Sequence, residues 1–164
     1  MASNLRESRE EARNIGRITV TQARTRSPRT KTRKVLVAED SKEMRRLLVW
    51  AFQNKGYQVT EATDGPDLFF RLSTQTGTKA RYDLLVSDIR MPHMTGLEVM
   101  QGLQRVKHLL PPTILITAFG DEHIHQRARE LGAVLIDKPF ELEDLMAKVE
   151  ETLSRLADGS NEGH

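Results

Sequence analysis

The sequence predicts a doubly wound α/β domain, with a five-stranded parallel sheet and helices on both faces. Three observations lead there. From residue 34 onward, short apolar runs alternate five times with segments of helical period. Most of these runs are continuous, as strands buried on both faces must be. Polar residues follow the runs, where an open parallel sheet presents its ligand-binding edge.

The first run is Val35-Leu36-Val37-Ala38, followed by Glu39-Asp40. Ser41 caps a helix whose Met44, Leu47, Leu48, Ala51 and Phe52 recur at helical spacing, and Gly56 ends it. Tyr57 to Glu61 alternates apolar and polar, which places the second strand at a sheet edge. Asp64 to Thr74 is a second helix with Leu68, Phe69 and Leu72 inward, and the polar residues around Gly77 form a loop. Leu84-Leu85-Val86 is a strand running into Ser87-Asp88. Leu97 to Lys107 is a helix with Leu97, Met100 and Leu103 on one side. Pro111-Pro112 precedes the strand Thr113 to Ile116. Asp121 caps a helix carrying Ile124, Ala128 and Leu131, which Gly132 closes. Ala133 to Ile136 is a continuous fifth strand, which by itself reads as interior. Glu141 to Leu156 is the last helix, with Leu142, Leu145, Met146, Val149, Leu153 and Leu156 on one face. Met44, Met100 and Met146 lie on apolar stripes and read as core. Trp50 falls off its helix's main stripe and reads as a partly exposed packing residue or a contact-surface marker.

Composition narrows the function classes. At 164 residues and 38% hydrophobic content the chain can bury a core without staples. The absence of cysteine excludes disulfides, thiolate nucleophiles and Cys-ligated metal sites. No apolar run is long enough to span a bilayer, and the N-terminus lacks the apolar core of a secretory signal, so a soluble cytoplasmic protein is expected. The net charge of +2 hides an asymmetry: residues 1–34 hold ten Lys/Arg against three acids, the remainder fifteen against twenty. Residues 1–33 therefore read as a basic, mobile arm, 34–157 as the folded domain and 158–164 as a polar tail. The arm is either solvated or touches nucleic acid, anionic lipid or an acidic partner. It has no aromatic residue to stack on bases, which weakens the nucleic-acid version, and Glu7, Glu10 and Glu11 argue against a transit peptide.

The strand ends carry the chemistry. Glu39 and Asp40 follow the first strand, Asp88 the third, Thr117 the fourth and Lys138 the fifth. Alone, Asp40 would read as a helix cap and Lys138 as a solvated lysine; their convergence on one mouth reverses both readings. Two carboxylates about 4 Å apart repel by about 4 kcal/mol at an effective dielectric of about 20. Three carboxylates and one ammonium leave a charge that a divalent ion cancels, and an all-oxygen donor set suits Mg²⁺. His93, His123 and His125 read as solvated rather than as ligands. An oxygen-ligated Mg²⁺ beside a carboxylate, a hydroxyl and a lysine suggests phosphoryl transfer to an aspartate. The chain has neither GxxxxGK[ST] nor GxGxxG, so the donor is expected to arrive already phosphorylated rather than as a bound nucleotide.

The segments Val35-Leu36-Val37-Ala38-Glu39-Asp40, Asp83-Leu84-Leu85-Val86-Ser87-Asp88-Ile89-Arg90-Met91-Pro92, Thr95-Gly96-Leu97-Glu98, Ile116-Thr117-Ala118 and Asp137-Lys138-Pro139-Phe140 together resemble the receiver domain of bacterial two-component response regulators. The resemblance covers residues 34–156. It implies a flavodoxin-like sheet of order 2-1-3-4-5, which puts the fifth strand at an edge, against its continuous pattern. It implies Asp88 as phosphoacceptor, and Mg²⁺ held by Asp40, Asp88 and the backbone carbonyl of Arg90, with Glu39 acting through water. Thr117 and Lys138 would hold the phosphoryl group, and the Lys138–Pro139 bond is often cis in this fold, aiming the lysine inward. Arg90 and Phe119 stand where relatives tune phosphate lifetime; Phe119 otherwise reads as a loop aromatic packed on the sheet edge. Leu135 stands where relatives carry a switch aromatic, which implies altered signalling through the face made by the fifth strand and the last two helices.

The implied function is a stand-alone receiver rather than an enzyme. It would be phosphorylated by a sensor histidine kinase or a histidine phosphotransfer protein, and would switch a protein-interaction surface. Three alternatives are a phosphorelay intermediate, a DNA-binding protein acting through the arm, and an Asp-based phosphatase. The last class needs a second acid two residues after its nucleophile, where this chain has Arg90.

Overall fold

A computed structural model describes residues 31–74 and 81–159, with side chains to residue 155. The expected arm, the Gly77 loop and residues 160–164 lie outside these, apart from 31–33.

Five strands form one parallel sheet of order β2-β1-β3-β4-β5: β1 (Lys34–Ala38), β2 (Gln58–Ala62), β3 (Leu84–Asp88), β4 (Thr113–Thr117) and β5 (Val134–Asp137). The helices are α1 (Lys42–Asn54), α2 (Gly65–Ser73), α3 (Gly96–Gly102), α4 (Glu122–Glu130) and α5 (Leu142–Gly159). Successive strand side chains point to opposite faces. Val35, Val37, Leu84, Val86, Ile114 and Ile116 thus pack with Leu48 and Phe52 of α1 and Leu145 and Val149 of α5. Leu36, Ala38 and Leu85 pack with Leu68 and Leu72 of α2 and Val99 of α3, while Leu115 packs with Ala128 of α4. Two-sided burial is why these strands read as unbroken apolar runs.

Ser41, Asp64 and Asp121 cap their helices as expected, accepting from the amides of Met44, Asp67 and Ile124. Gly56 and Gly132 follow α1 and α4 with φ of 84° and 77°, the left-handed conformation that a chain leaving a helix needs.

Two expectations are corrected, and the open conflict over the fifth strand is decided in favour of the order 2-1-3-4-5. Leu47 is 43% exposed, because the buried stripe of α1 is the narrower set Leu48, Ala51 and Phe52. The third helix does not run to Lys107. It stops at Gly102, a poor helix former, and continues as a 3₁₀ segment, Gln104–Leu109, with Val106 outside helical geometry. The fifth strand is an edge, half-buried along its apolar residues, because only β4 pairs with it.

Gly96, the first residue of α3, presses on the end of β3. A Cβ there would stand 2.7 Å from the Asp88 carbonyl oxygen and 2.9 Å from Ser87 Oγ. Gly96→Ala is expected to cost about 1–3 kcal/mol, seen as a lower denaturant midpoint at unchanged slope; an unchanged midpoint would show that the turn yields freely.

Candidate functional site

The site forms where the sheet's hydrogen bonding continues one residue past its strands. Glu39 N–H donates to the Ala62 carbonyl at 3.2 Å, Ile89 N–H to Ile116 at 2.8 Å and Lys138 N–H to Thr117 at 2.7 Å. These bonds hold the ends of β1, β3 and β5 at one height. Side chains at the C-terminal edge are thereby placed by the sheet rather than by free loops.

Carboxylate oxygens of Glu39, Asp40 and Asp88 lie within 4.8 Å of one another, the one such acidic or His cluster among the described residues. Glu39 is 1% exposed and Asp88 7%, whereas Asp40 faces solvent. Lys138 Nζ donates to Glu39 Oε2 at 3.3 Å and to Asp88 Oδ2 at 3.4 Å. Glu39 Oε1 also accepts from Ser41 N–H at 3.0 Å, and Asp88 Oδ1 from Arg90 N–H at 3.3 Å. Burial raises the pKa of both Glu39 and Asp88 above the ordinary carboxylate range, and these contacts only partly oppose it. One ammonium cannot neutralise three carboxylates. The remaining negative charge and the all-oxygen donor set fit a hard divalent cation.

Thr117 is buried at the end of β4, its Oγ1 accepting from Phe119 N–H at 3.1 Å. Lys138–Pro139 is a cis peptide. Phe119 is 66% exposed, not packed on the sheet edge; its ring lies under the Arg90 guanidinium, 4.5 Å from centroid to Cζ. Leu135 is part-buried against the cluster of Ile89, Met100, Leu115 and Ala128. His93 and His123 are exposed, but His125 is not simply solvated: its Nε2 stands 3.2 Å from Asp137 Oδ2.

Sequence reading missed Arg45. Its Nη1 donates to the carbonyls of Glu39 at 2.8 Å and Asp40 at 3.4 Å, and its Nε to Glu61 Oε2 at 3.0 Å. One guanidinium therefore ties the acidic turn to the edge strand β2. The only signal was a basic residue one helical turn beyond the acid pair, and exposed helix faces carry many of those.

The comparisons agree with this geometry. The family of the response regulator receiver domain matches residues 35–150. Sporulation initiation phosphotransferase F of Bacillus subtilis (strain 168) is 30% identical over 121 residues, 73% of this chain and 93% of that protein. Transcriptional regulatory protein PdtaR of Mycobacterium tuberculosis (strain CDC 1551 / Oshkosh) is 29% identical over 128 residues, 77% of this chain. The chain spans only 59% of PdtaR's length. Among solved structures, the Francisella response regulator 1452 receiver domain superposes with a TM-score of 0.66 at 27% identity, covering 76% of this chain and 99% of that one. No helix among the described residues is long and apolar enough to cross a membrane. Sheet order, acidic strand ends and family match converge: this chain belongs to the response regulator receiver domain family.

Proposed function

We propose that Asp88 accepts a phosphoryl group from a phosphohistidine on a sensor kinase or histidine phosphotransfer protein, and that this marks a protein-interaction surface. The observation that carries the reading is the Asp88 carboxylate, nearly buried yet at a strand end, with Lys138 on one side and two further acids beside it. A carboxylate oxygen of Asp88 would bond to phosphorus as the N–P bond of the donor breaks, and the leaving imidazole takes up a proton. Asp40, Asp88 and the Arg90 carbonyl would hold Mg²⁺, with Glu39 acting through water; the ion supplies charge neutralisation between the carboxylates and the phosphoryl oxygens. Lys138 would pair with the transferred group and Thr117 would donate its hydroxyl to it. Arg90 and Phe119, stacked over one another, would limit the approach of water to the acyl phosphate.

The same reading divides the chain into a basic arm (1–33), a receiver (34–157) and a tail, and places it in the cytoplasm. The alignment over 93% of a relative named a phosphotransferase supports a version in which the group is passed on to another histidine protein.

Treatment with acetyl phosphate and Mg²⁺ is expected to add about 80 Da to the intact mass, the increment of one phosphoryl group. Asp88→Asn should show no adduct. An equal adduct in that variant would remove Asp88 from its role.

Leu135 fills space against α4 but offers neither a ring nor a hydroxyl at the surface. Beryllofluoride is therefore expected to shift NMR signals of α4, β5 and α5 less in the wild type than in Leu135→Tyr. Equal shifts would show that leucine suffices.

A further inference from the structure

We propose that His125 and Asp137 form a clasp that positions the Thr117 hydroxyl for the transferring phosphoryl group, which makes both of them positioning residues of the Asp88 site. The inference rests on the phosphoryl-acceptor reading above and adds to it a pair that lies outside the acidic cluster. His125 stands near the start of α4 and Asp137 ends β5. The imidazole Nε2 is 3.2 Å from Asp137 Oδ2, which joins the helix that follows β4 to the strand that flanks β4.

The chain between Thr117 and α4 is short: Ala118, Phe119, Gly120 and the cap Asp121. Contacts along its whole length fix it. At its start, Phe119 N–H donates to Thr117 Oγ1 at 3.1 Å. At its end, the Asp121 carbonyl accepts from His125 N–H at 3.0 Å. In the middle, Gly120 lies directly against the clasp. A Cβ there would stand 2.0 Å from Asp137 Oδ1 and 3.0 Å from His125 Nε2. A residue without a side chain is what lets the loop approach the pair so closely. One oxygen of Asp137 thus meets the imidazole and the other backs the loop.

The consequence falls on Thr117. A hydroxyl offers one proton and two lone pairs. Because Oγ1 accepts from Phe119 N–H, its proton is left to be donated to a phosphoryl oxygen. That orientation lasts while Phe119 stays in place, and Phe119 is mostly exposed, so burial does little to hold it. The clasp supplies the anchor, and a loop already in place needs no ordering during transfer. The neighbouring charges are engaged elsewhere. Lys138 donates to Glu39 and Asp88, and on α4 Glu122 pairs with Arg129. On the α5 side, Asp144, Lys148 and Glu151 line a hollow that Asp137 also borders, and there Lys148 pairs with Glu151.

The test follows phosphorylation of the full chain by intact-mass time courses with acetyl phosphate and Mg²⁺ at several donor concentrations. His125→Leu, Asp137→Ala and Gly120→Ala each open the clasp, the last by pushing the carboxylate aside with both partners present. Each is expected to lower the maximal rate about two- to fivefold at an unchanged half-saturating concentration, the bias that a partly exposed charged pair exerts on a conformation. His125→Gln, which keeps an N–H donor where Nε2 stands, should restore the wild-type rate. In a Thr117→Ala background, His125→Leu should slow the reaction no further, because the group it positions is gone. Unchanged circular dichroism shows that each variant folds. Wild-type rates in all three clasp variants overturn the proposal while leaving Asp88 as acceptor. A glutamine variant as slow as the leucine one overturns it too, since the ring's packing would then matter rather than its bond. So does an equal fall with and without Thr117. A wild type that takes up no phosphoryl group fails the acceptor reading itself, and the clasp's role with it.

Discussion

Replacing Asp88 by asparagine is expected to raise the melting temperature of the cation-free protein at neutral pH by several degrees, and the gain should vanish in mild acid. Glu39 and Asp88 are almost wholly buried, and burial raises the pKa of each. In the unfolded chain the same groups titrate at about 4. A folded-state pKa above the unfolded one means that the native protein binds protons more tightly. The stability this gives is complete below about pH 4 and is lost as pH rises through the raised values. Above them the native state carries the full cost of crowded ionised carboxylates, which Lys138 only partly relieves. Asparagine carries no charge, so the variant escapes the part of that cost that falls on Asp88, and each recovered increment of about 1 kcal/mol raises the melting temperature by several degrees in a domain of this size. Adding a divalent cation should stabilise the wild type and narrow the gap, since an ion that binds only the folded form stabilises it by mass action. Thermal melts in EDTA across this pH range decide the matter: a variant that melts below the wild type at neutral pH contradicts the electrostatic account.

Lys138→Met should slow phosphorylation of Asp88 by about 10²–10³-fold at saturating small-molecule donor, the usual cost of removing one preorganised charge from a transferring group. The ammonium is the cation that touches both buried carboxylates. Methionine keeps the apolar stem but offers nothing to oxygens that gain charge during transfer. The backbone of the variant should hold, because the bond that seats this residue runs from its amide to the Thr117 carbonyl. Intact-mass time courses at several donor concentrations separate two roles. A fall in the maximal rate assigns Lys138 to the transfer itself. A rise in the half-saturating concentration alone would mean that the lysine merely attracts the donor.

Much of this was legible in the residues. Val35 to Ala38 and Leu84 to Val86 announced central strands because burial on both faces removes polar alternation. Ser41, Asp64 and Asp121 announced helix starts because their side chains satisfy free amides. Glu39, Asp88 and Lys138 stood out because a strand end fixes direction as well as position. What stayed hidden depends on partners distant in the chain. Arg45 works through main-chain oxygens, which leave no pattern in side-chain identity. Arg90 meets Phe119 only when two loops close over one mouth. Leu47 matched the helical period of α1, yet it falls outside the stripe of Leu48, Ala51 and Phe52 that is buried. The end of α3 turned on the backbone preferences of Gly102 and Val106, which periodicity does not register.

At the edge of the sheet remote from Asp88, Lys34 N–H donates to the Asp83 carboxylate and Asp83 N–H to the Lys34 carbonyl, each at 2.7 Å. From that buckle β1 and β3 run side by side in fixed register, Val35 opposite Leu84 and Ala38 opposite Ser87. Two rods of equal length, pinned at a common origin, act as a ruler. A slip of one residue would carry Asp88 about 3.3 Å past the acids of β1, as far as a hydrogen bond is long. The accuracy of the chemistry at one end of this molecule is thus calibrated at the other.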